Sequence, residues 1–344
     1  MKILAIDTSC DDTSAAVLSD DRILSNIINS QTLQHTEWGG VVPSLAKRLH
    51  AEQIDTVVAE ALQKARVKLE DIDLFAATYG PGLSIALEIG LKKGIELARQ
   101  MQKPFMPVNH MEGHIYSVFA KNSKGTGQID KFAFPYLALL VSGKHTDLIL
   151  MKDNSTYKKL GETLDDAVGE AYDKVARMLK VGYPGGAILS GFSEKGTVAR
   201  YTLPIPMKNA KELNFSYSGL KSATQRLVTS IEAEHPLSKQ DIYDISLAFE
   251  TAALREILVK TELAITRYPV KTLILGGGVS ANIHLRTMLR KMLKPYGVRL
   301  IHPTTLNLCT DNAAMIGVAA YWRYAMTPEQ VTYDIDRDPS LSLG

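Results

Sequence analysis

The sequence predicts an α/β protein of two similar halves, each built on its own sheet, and three observations carry this. First, two stretches share one grammar of apolar strand, polar turn and second strand: Ile3-Leu-Ala-Ile-Asp7-Thr-Ser-Cys-Asp11-Asp12-Thr-Ser-Ala-Ala-Val17, and Tyr136-Leu-Ala-Leu-Leu-Val141-Ser142-Gly143-Lys144-His145-Thr146-Asp147-Leu-Ile-Leu150. Second, two more apolar strands end in glycines, Phe75-Ala-Ala-Thr-Tyr-Gly80-Pro81-Gly82 and Leu273-Ile-Leu-Gly276-Gly277-Gly278-Val-Ser280. Third, helical periodicity follows each of these, over 85–100 and 282–293. Strands alternating with helices mark an α/β architecture, and the recurrence marks an internal duplication.

Within each half a third strand follows the hairpin, over 22–30 and then 157–162. Lys121-Asn-Ser-Lys-Gly-Thr-Gly127 has the composition of a linker, which places the boundary near 125–135 and divides the chain into halves 1–128 and 129–344. The second half carries extra helical and loop material over about 181–236, including Tyr183-Pro184-Gly185-Gly186 and Asn214-Phe-Ser216-Tyr-Ser218-Gly219-Leu-Lys221. These glycine- and serine-bearing runs look like an insertion over the cleft, with surface turn chemistry as their ordinary reading.

Composition excludes more than it selects. At 344 residues and 45% hydrophobic, the chain is long enough to bury a large core. Its 39 basic and 37 acidic residues leave a formal charge of +2, which by itself demands neither a nucleic acid nor an anionic membrane. Two cysteines, Cys10 and Cys309, are too few for a disulfide framework. No apolar run reaches transmembrane length, and the opening Lys2-Ile-Leu-Ala-Ile6 reads as a strand rather than a secretory signal, so the expectation is a cytoplasmic protein with no membrane partner.

The chemistry concentrates in His110-Met-Glu-Gly-His114 and in Cys309-Thr-Asp311-Asn-Ala-Ala, which opens an Ala-rich apolar run. Histidines four apart share one helix face, and a distant carboxylate can complete a three-ligand metal site with open positions. Two imidazoles and a carboxylate suit zinc and ferrous iron equally. A zincin protease places its Glu directly after the first His. Glu112 stands two positions on, roughly 200° around the helix from His110, so it points away from the metal and proteolysis is not expected. Cys10 lies among carboxylates, which raise a thiol pKa, and reads with Trp38 and Tyr172 as packing.

Paired hairpins with Asp or Ser/Gly turns resemble the actin, heat-shock chaperone and sugar kinase (ASKHA) superfamily, whose two halves grip a nucleotide in the cleft between them. Asp7-Thr-Ser-Cys-Asp11, Gly39-Gly40-Val-Val-Pro43, Gly80-Pro81-Gly82, the His110 to His114 pentad, Gly276-Gly-Gly-Val-Ser-Ala-Asn282 and Cys309-Thr-Asp311-Asn narrow the resemblance to the TsaD family. This is the bacterial branch of the universal tRNA threonylcarbamoyladenosine transferases, once labelled O-sialoglycoproteases. The resemblance covers essentially the whole chain. It implies transfer of a threonylcarbamoyl group from threonylcarbamoyl-AMP to N6 of the adenosine 3′ of the anticodon in ANN-decoding tRNAs. It also implies TsaB-like and TsaE-like partner proteins, and one iron or zinc ion on His110, His114 and Asp311.

Residue by residue, the resemblance makes Asp11 the group that orients or deprotonates the attacking amine. It makes Leu140, Val141, Ser142, Gly143, Lys144, Asp173, Gly186 and Asn282 the adenylate-binding set. The chain departs from the family at Asp12, where Glu is usual, and at Lys144 and Ile85, where Gly is usual. Lys144 either crowds the adenylate or pairs with its phosphate. A basic face of Arg286, Arg290, Lys291 and Lys294 reads as solvated helix surface, with tRNA contact as the alternative. Two other functions fit the fold alone: a small-molecule kinase of the same superfamily, and a non-catalytic interaction subunit.

Overall fold

The computed structural model describes residues 1–129, 133–154, 156–197 and 200–343. Its strands are β1 (Lys2–Asp7), β2 (Asp12–Ser19), β3 (Arg22–Ser30), β4 (Leu74–Gly80), β5 (Phe105–Asn109), β6 (Tyr136–Val141), β7 (Thr146–Met151), β8 (Tyr157–Gly161), β9 (Thr272–Gly276) and β10 (Arg299–Ile301). They form two five-stranded sheets, ordered β3-β2-β1-β4-β5 and β10-β9-β6-β7-β8. Read from β8, the second order repeats the first with every strand five places on, which is the duplication the sequence predicts. Each sheet has an antiparallel hairpin, β1–β2 or β6–β7, and a parallel neighbour on the other side of the hairpin's first strand, β4 or β9.

The chain separates into two compact units: Met1–Phe134 with Lys152–Tyr157 and Ile301–Gly344, and Pro135–Met151 with Lys158–Leu300. The division at 128/129 is therefore incomplete, because the last 44 residues (301–344) belong with the first unit rather than with 129–300. Packing accounts for this. On the helix Ala313–Met326, residues 313–320 are all buried. Gly317 lies so close to the first sheet that a Cβ there would fall 2.2 Å from Leu18 Cδ1 and 3.2 Å from Ala5 Cβ. Of the boundary stretch 125–135, residues 130–132 lie outside the described residues.

In the first unit, β1 is buried along nearly its whole length, and Leu4, Ile6, Ala15 and Val17 meet Ile54, Val57 and Ala61 of the helix Pro43–Ala65 in one apolar cluster. That helix starts at a proline, whose missing N–H costs nothing in the first turn, and stops at Arg66 in the left-handed region. The helix Ser84–Met101 adds Leu91, Leu97 and Ala98 to the same cluster.

In the second unit the 29-residue helix Lys239–Arg267 is the spine, opened by a capping box in which Ser238 Oγ accepts from Asp241 N and an Asp241 carboxylate oxygen accepts from Ser238 N. The 181–236 stretch departs from a surface-turn reading. It forms the helices Gly185–Ser193 and Ser218–Glu232, and Leu213, Phe215 and Tyr217 are core residues. Their alternation with Asn214 and Ser216 is the period of an extended chain with one buried face. Trp38 also departs from its packing role, being 68% exposed.

Candidate metal centre and hairpin sites

Two asparagine caps place the metal-ligand candidates in the first unit. Asn109 Oδ1 accepts from the amides of Met111 (2.8 Å) and Glu112 (3.4 Å), which starts the helix His110–Tyr116 with His110 as its first residue. Asn312 Oδ1 accepts from Met315 N (3.0 Å) while its Nδ2 donates to Thr310 O (2.8 Å), so Asp311 is held just ahead of the helix Ala313–Met326. The three side chains converge. Asp311 Oδ1 lies 3.4 Å from His110 Nε2 and 3.3 Å from His114 Nε2, and one ligand atom from each residue falls within 4.8 Å of the others.

The electrostatics suit a cation. His110 Nδ1 and both ring nitrogens of His114 are buried with no hydrogen-bond partner among the described residues. Leaving such groups unsatisfied costs about 1–3 kcal/mol each. Burial alone pushes the His110 imidazole down, but the carboxylates of Asp311 and Asp7 outweigh it and hold it at about 10. Burial dominates at His114, which is lowered. Against burial, the two imidazoles hold the Asp311 carboxyl well below the usual range. A donor set that draws in a positive charge and leaves nitrogens unpaired fits a divalent ion.

The β1–β2 hairpin brings two more carboxylates, Asp7 and Asp12, to this unit's site, with Asp11 on the turn between them. Asp7 is 1% exposed, its Oδ1 3.8 Å from His110 Nδ1. Asp12 keeps one oxygen unpartnered, and burial together with Asp11, Asp311 and Asp7 raises it to about 7 despite a hydrogen bond from Ser30. The turn that carries Asp11 is pinned twice: His50 Nε2 donates to Cys10 O (3.0 Å) and Gln31 N donates to Asp11 O (2.9 Å). The Gly80-Pro81-Gly82 motif seats against the same turn. Leu83 N donates to Ser9 O (2.8 Å), and a Cβ on Gly82 would sit 2.5 Å from that oxygen, so only glycine lets the two backbones approach.

The second unit gathers the other predicted set. Leu140 and Val141 are fully buried in β6, so their side chains serve the core. Ser142 Oγ accepts from the amides of Lys144 (3.3 Å) and His145 (3.1 Å), turning the hairpin so that Gly143 and Lys144 are exposed. Gly169 N donates to Ser142 O (3.2 Å). Asp173 Oδ1 accepts from Gly185 N (2.7 Å) at the start of the helix Gly185–Ser193, and the space a Gly186 side chain would take is open. Asn282 is engaged within the fold. Its Oδ1 caps the helix Ile283–Leu293 through Leu285 N (2.8 Å), and its Nδ2 donates to Ser190 Oγ (2.8 Å) and Glu250 Oε1 (2.7 Å).

Sequence reasoning missed Glu250, the hub of this unit. It is 2% exposed and accepts from Tyr172, Ser190, Ser193 and Asn282, with His284 Nδ1 2.7 Å away. Those contacts lower its carboxyl although burial opposes them. The one available signal is an acid within the local apolar run Ile245-Ser-Leu-Ala-Phe249 and Ala252-Ala-Leu254 of that helix.

The sequence model of TsaD, tRNA N6-adenosine threonylcarbamoyltransferase, matches residues 22–318. The protein of that name from Sinorhizobium medicae is 43% identical over 337 residues, covering 94% of this chain and 90% of its own. The one from Persephonella marina is 42% identical over 347 residues, covering 100% and 96%. Among solved structures, Acidaminococcus fermentans (R)-2-hydroxyglutaryl-CoA dehydratase component A superposes with a TM-score of 0.55 at 17% identity, over 94% of this chain and 99% of that one. HypF from T. kodakarensis gives 0.60 at 15% identity, over 94% and 48%. These two likenesses concern the fold, and the ASKHA architecture expected from the paired hairpins is the one present.

Proposed function

Because the chain belongs to the TsaD family of tRNA N6-adenosine threonylcarbamoyltransferases, we propose that it transfers a threonylcarbamoyl group to N6 of the adenosine 3′ of the anticodon in ANN-decoding tRNAs. The observation that carries this is 43% identity to a protein of that name over 94% of the chain. The donor in this reading is threonylcarbamoyl-AMP, the partners are TsaB-like and TsaE-like proteins, and the compartment is the cytoplasm. No helix among the described residues is long and apolar enough to cross a membrane.

His110, His114 and Asp311 would hold one iron or zinc ion, which supplies Lewis acidity toward carbonyl and carboxylate oxygens. In the transfer, N6 bonds to the carbamoyl carbon, the bond from that carbon to the phosphate oxygen breaks, and AMP leaves. Asp11, on its pinned turn, takes the N6 proton as the nitrogen becomes bonded, since an aromatic amine gains nucleophilicity only as that proton departs. On the second hairpin, Ser142, Gly143 and Lys144 face the adenylate together with Asp173, Gly186 and Asn282. Leu140 and Val141 support that turn from the core. No observation favours the kinase or the non-catalytic alternative.

Purified protein, partner proteins, donor and tRNA test the reading directly. Threonylcarbamoylated adenosine in the nuclease digest supports it, and phosphorylation of a small molecule without that product refutes it.

Lys144 is exposed, which favours phosphate pairing over crowding. Lys144→Gly is therefore expected to weaken binding of a non-hydrolysable adenylate analogue by about fivefold, the loss of roughly 1 kcal/mol for a solvent-screened charged contact. Tighter binding to the glycine variant would show that the lysine crowds the pocket.

A further inference from the structure

We propose that the buried Glu112–Arg323 ion pair is a positioning device for the metal centre, holding in register the two chain segments that supply its ligands. This rests on reading His110, His114 and Asp311 as those ligands. Glu112 stands between the two histidines in sequence, yet its carboxylate serves other partners: Tyr157 OH donates to Oε1 (2.8 Å) and Arg323 Nη1 to Oε2 (3.3 Å). Arg323 belongs to the helix that begins two residues after Asp311. The same Nη1 donates to Pro107 O (3.0 Å) on β5, so one guanidinium grips the chain on both sides of His110. Gln330 Oε1 accepts from Arg323 Nε and Nη2 and fixes the guanidinium from its far edge.

The side chains of Glu112 and Arg323 are 5% and 18% exposed. Desolvation offsets most of the attraction in such a pair, which makes it weak evidence for stability, whereas setting register is the best-attested use of buried ionic groups. The helices it joins are in close contact elsewhere. A Cβ on Gly113 would lie 2.8 Å from Ile316 Cδ1 and 3.1 Å from Met315 Cγ, so the His110–Tyr116 helix has little room to shift without disturbing the helix behind Asp311. Metal–ligand distances keep within about 0.2 Å of their characteristic values, so a slip of one helix against the other strains the ligand set and weakens binding.

The test is titration of the metal-free full chain with Co²⁺, a probe whose visible absorption reports its coordination, in the parent and in Glu112→Gln, Arg323→Gln and the double variant. Both single variants are expected to bind Co²⁺ about tenfold more weakly and to change the shape of the visible band, while near-ultraviolet circular dichroism shows them folded. The double variant should bind no more weakly than the weaker-binding single, because the two residues share the contact that sets the register. Unchanged affinity and band shape in folded variants, with only a lowered thermal midpoint, would show that the pair supports the fold and nothing more. If Arg323→Gln does not fold, Glu112→Gln decides alone, since its amide oxygen still accepts from Tyr157. A parent that takes up no Co²⁺ yet performs transfer overturns the metal-centre reading, and this inference with it.

Discussion

Asp311→Ala is expected to lose the bound metal and to lower threonylcarbamoyl transfer by on the order of 10²–10³-fold, the loss seen when one preorganised electrostatic group is removed from a reaction centre. Asp311 is the only carboxylate within 3.5 Å of both His110 Nε2 and His114 Nε2 among the described residues, so removing it leaves two buried imidazoles with no anion between them. The fold should survive, because Asn312 rather than Asp311 caps the following helix. His110→Ala and His114→Ala should behave alike, since a centre with two of three protein ligands does not hold its geometry. Near-parental transfer by a metal-free triple variant would remove these residues from the reaction.

Asp11→Ala should keep affinity for the donor while turnover falls about 10²–10⁴-fold, the usual worth of a positioned general base. The split is diagnostic, because an interaction made only in the transition state lowers kcat without weakening ground-state binding. Asp12, the neighbouring acid with one unpartnered oxygen, is the natural control. Persistent turnover in Asp11→Ala alongside its loss in Asp12→Asn would move the base to the second position. If donor affinity and turnover fell together in Asp11→Ala, Asp11 would be a binding residue.

Local pattern was legible in this sequence and long-range packing was not. The hairpins at 3–17 and 136–150 announce themselves by alternation and polar turns, and the structure returns them as β1–β2 and β6–β7. His110 and His114 were legible because helical spacing alone puts them on one face. Asp311 is 201 residues beyond His110, and local spacing could only propose it as the third ligand, whereas the fold brings its oxygen to 3.4 Å from His110 Nε2. The Ala-rich run after Asp311 was visibly apolar, but an apolar helix does not say which sheet it covers. The sequence therefore places 301–344 with the second half, whereas the packing groups it with the first sheet. Asp173 and Asn282 also hold helix starts, through Gly185 N and Leu285 N, a structural role that no local pattern announces. Glu112 was legible only as pointing away from the histidines. Its partner Arg323 lies 211 positions on, and no periodicity joins them.

The most direct test of metal-assisted transfer is one assay on one preparation: threonylcarbamoylated adenosine in tRNA, measured before chelation, after it, and after adding back Fe²⁺ or Zn²⁺. Product should form at the start, disappear with the metal, and return with add-back to the parent chain but not to Asp311→Ala. Product formation that persists through complete metal removal, or that Asp311→Ala matches, would contradict a metal role for the His110, His114 and Asp311 cluster.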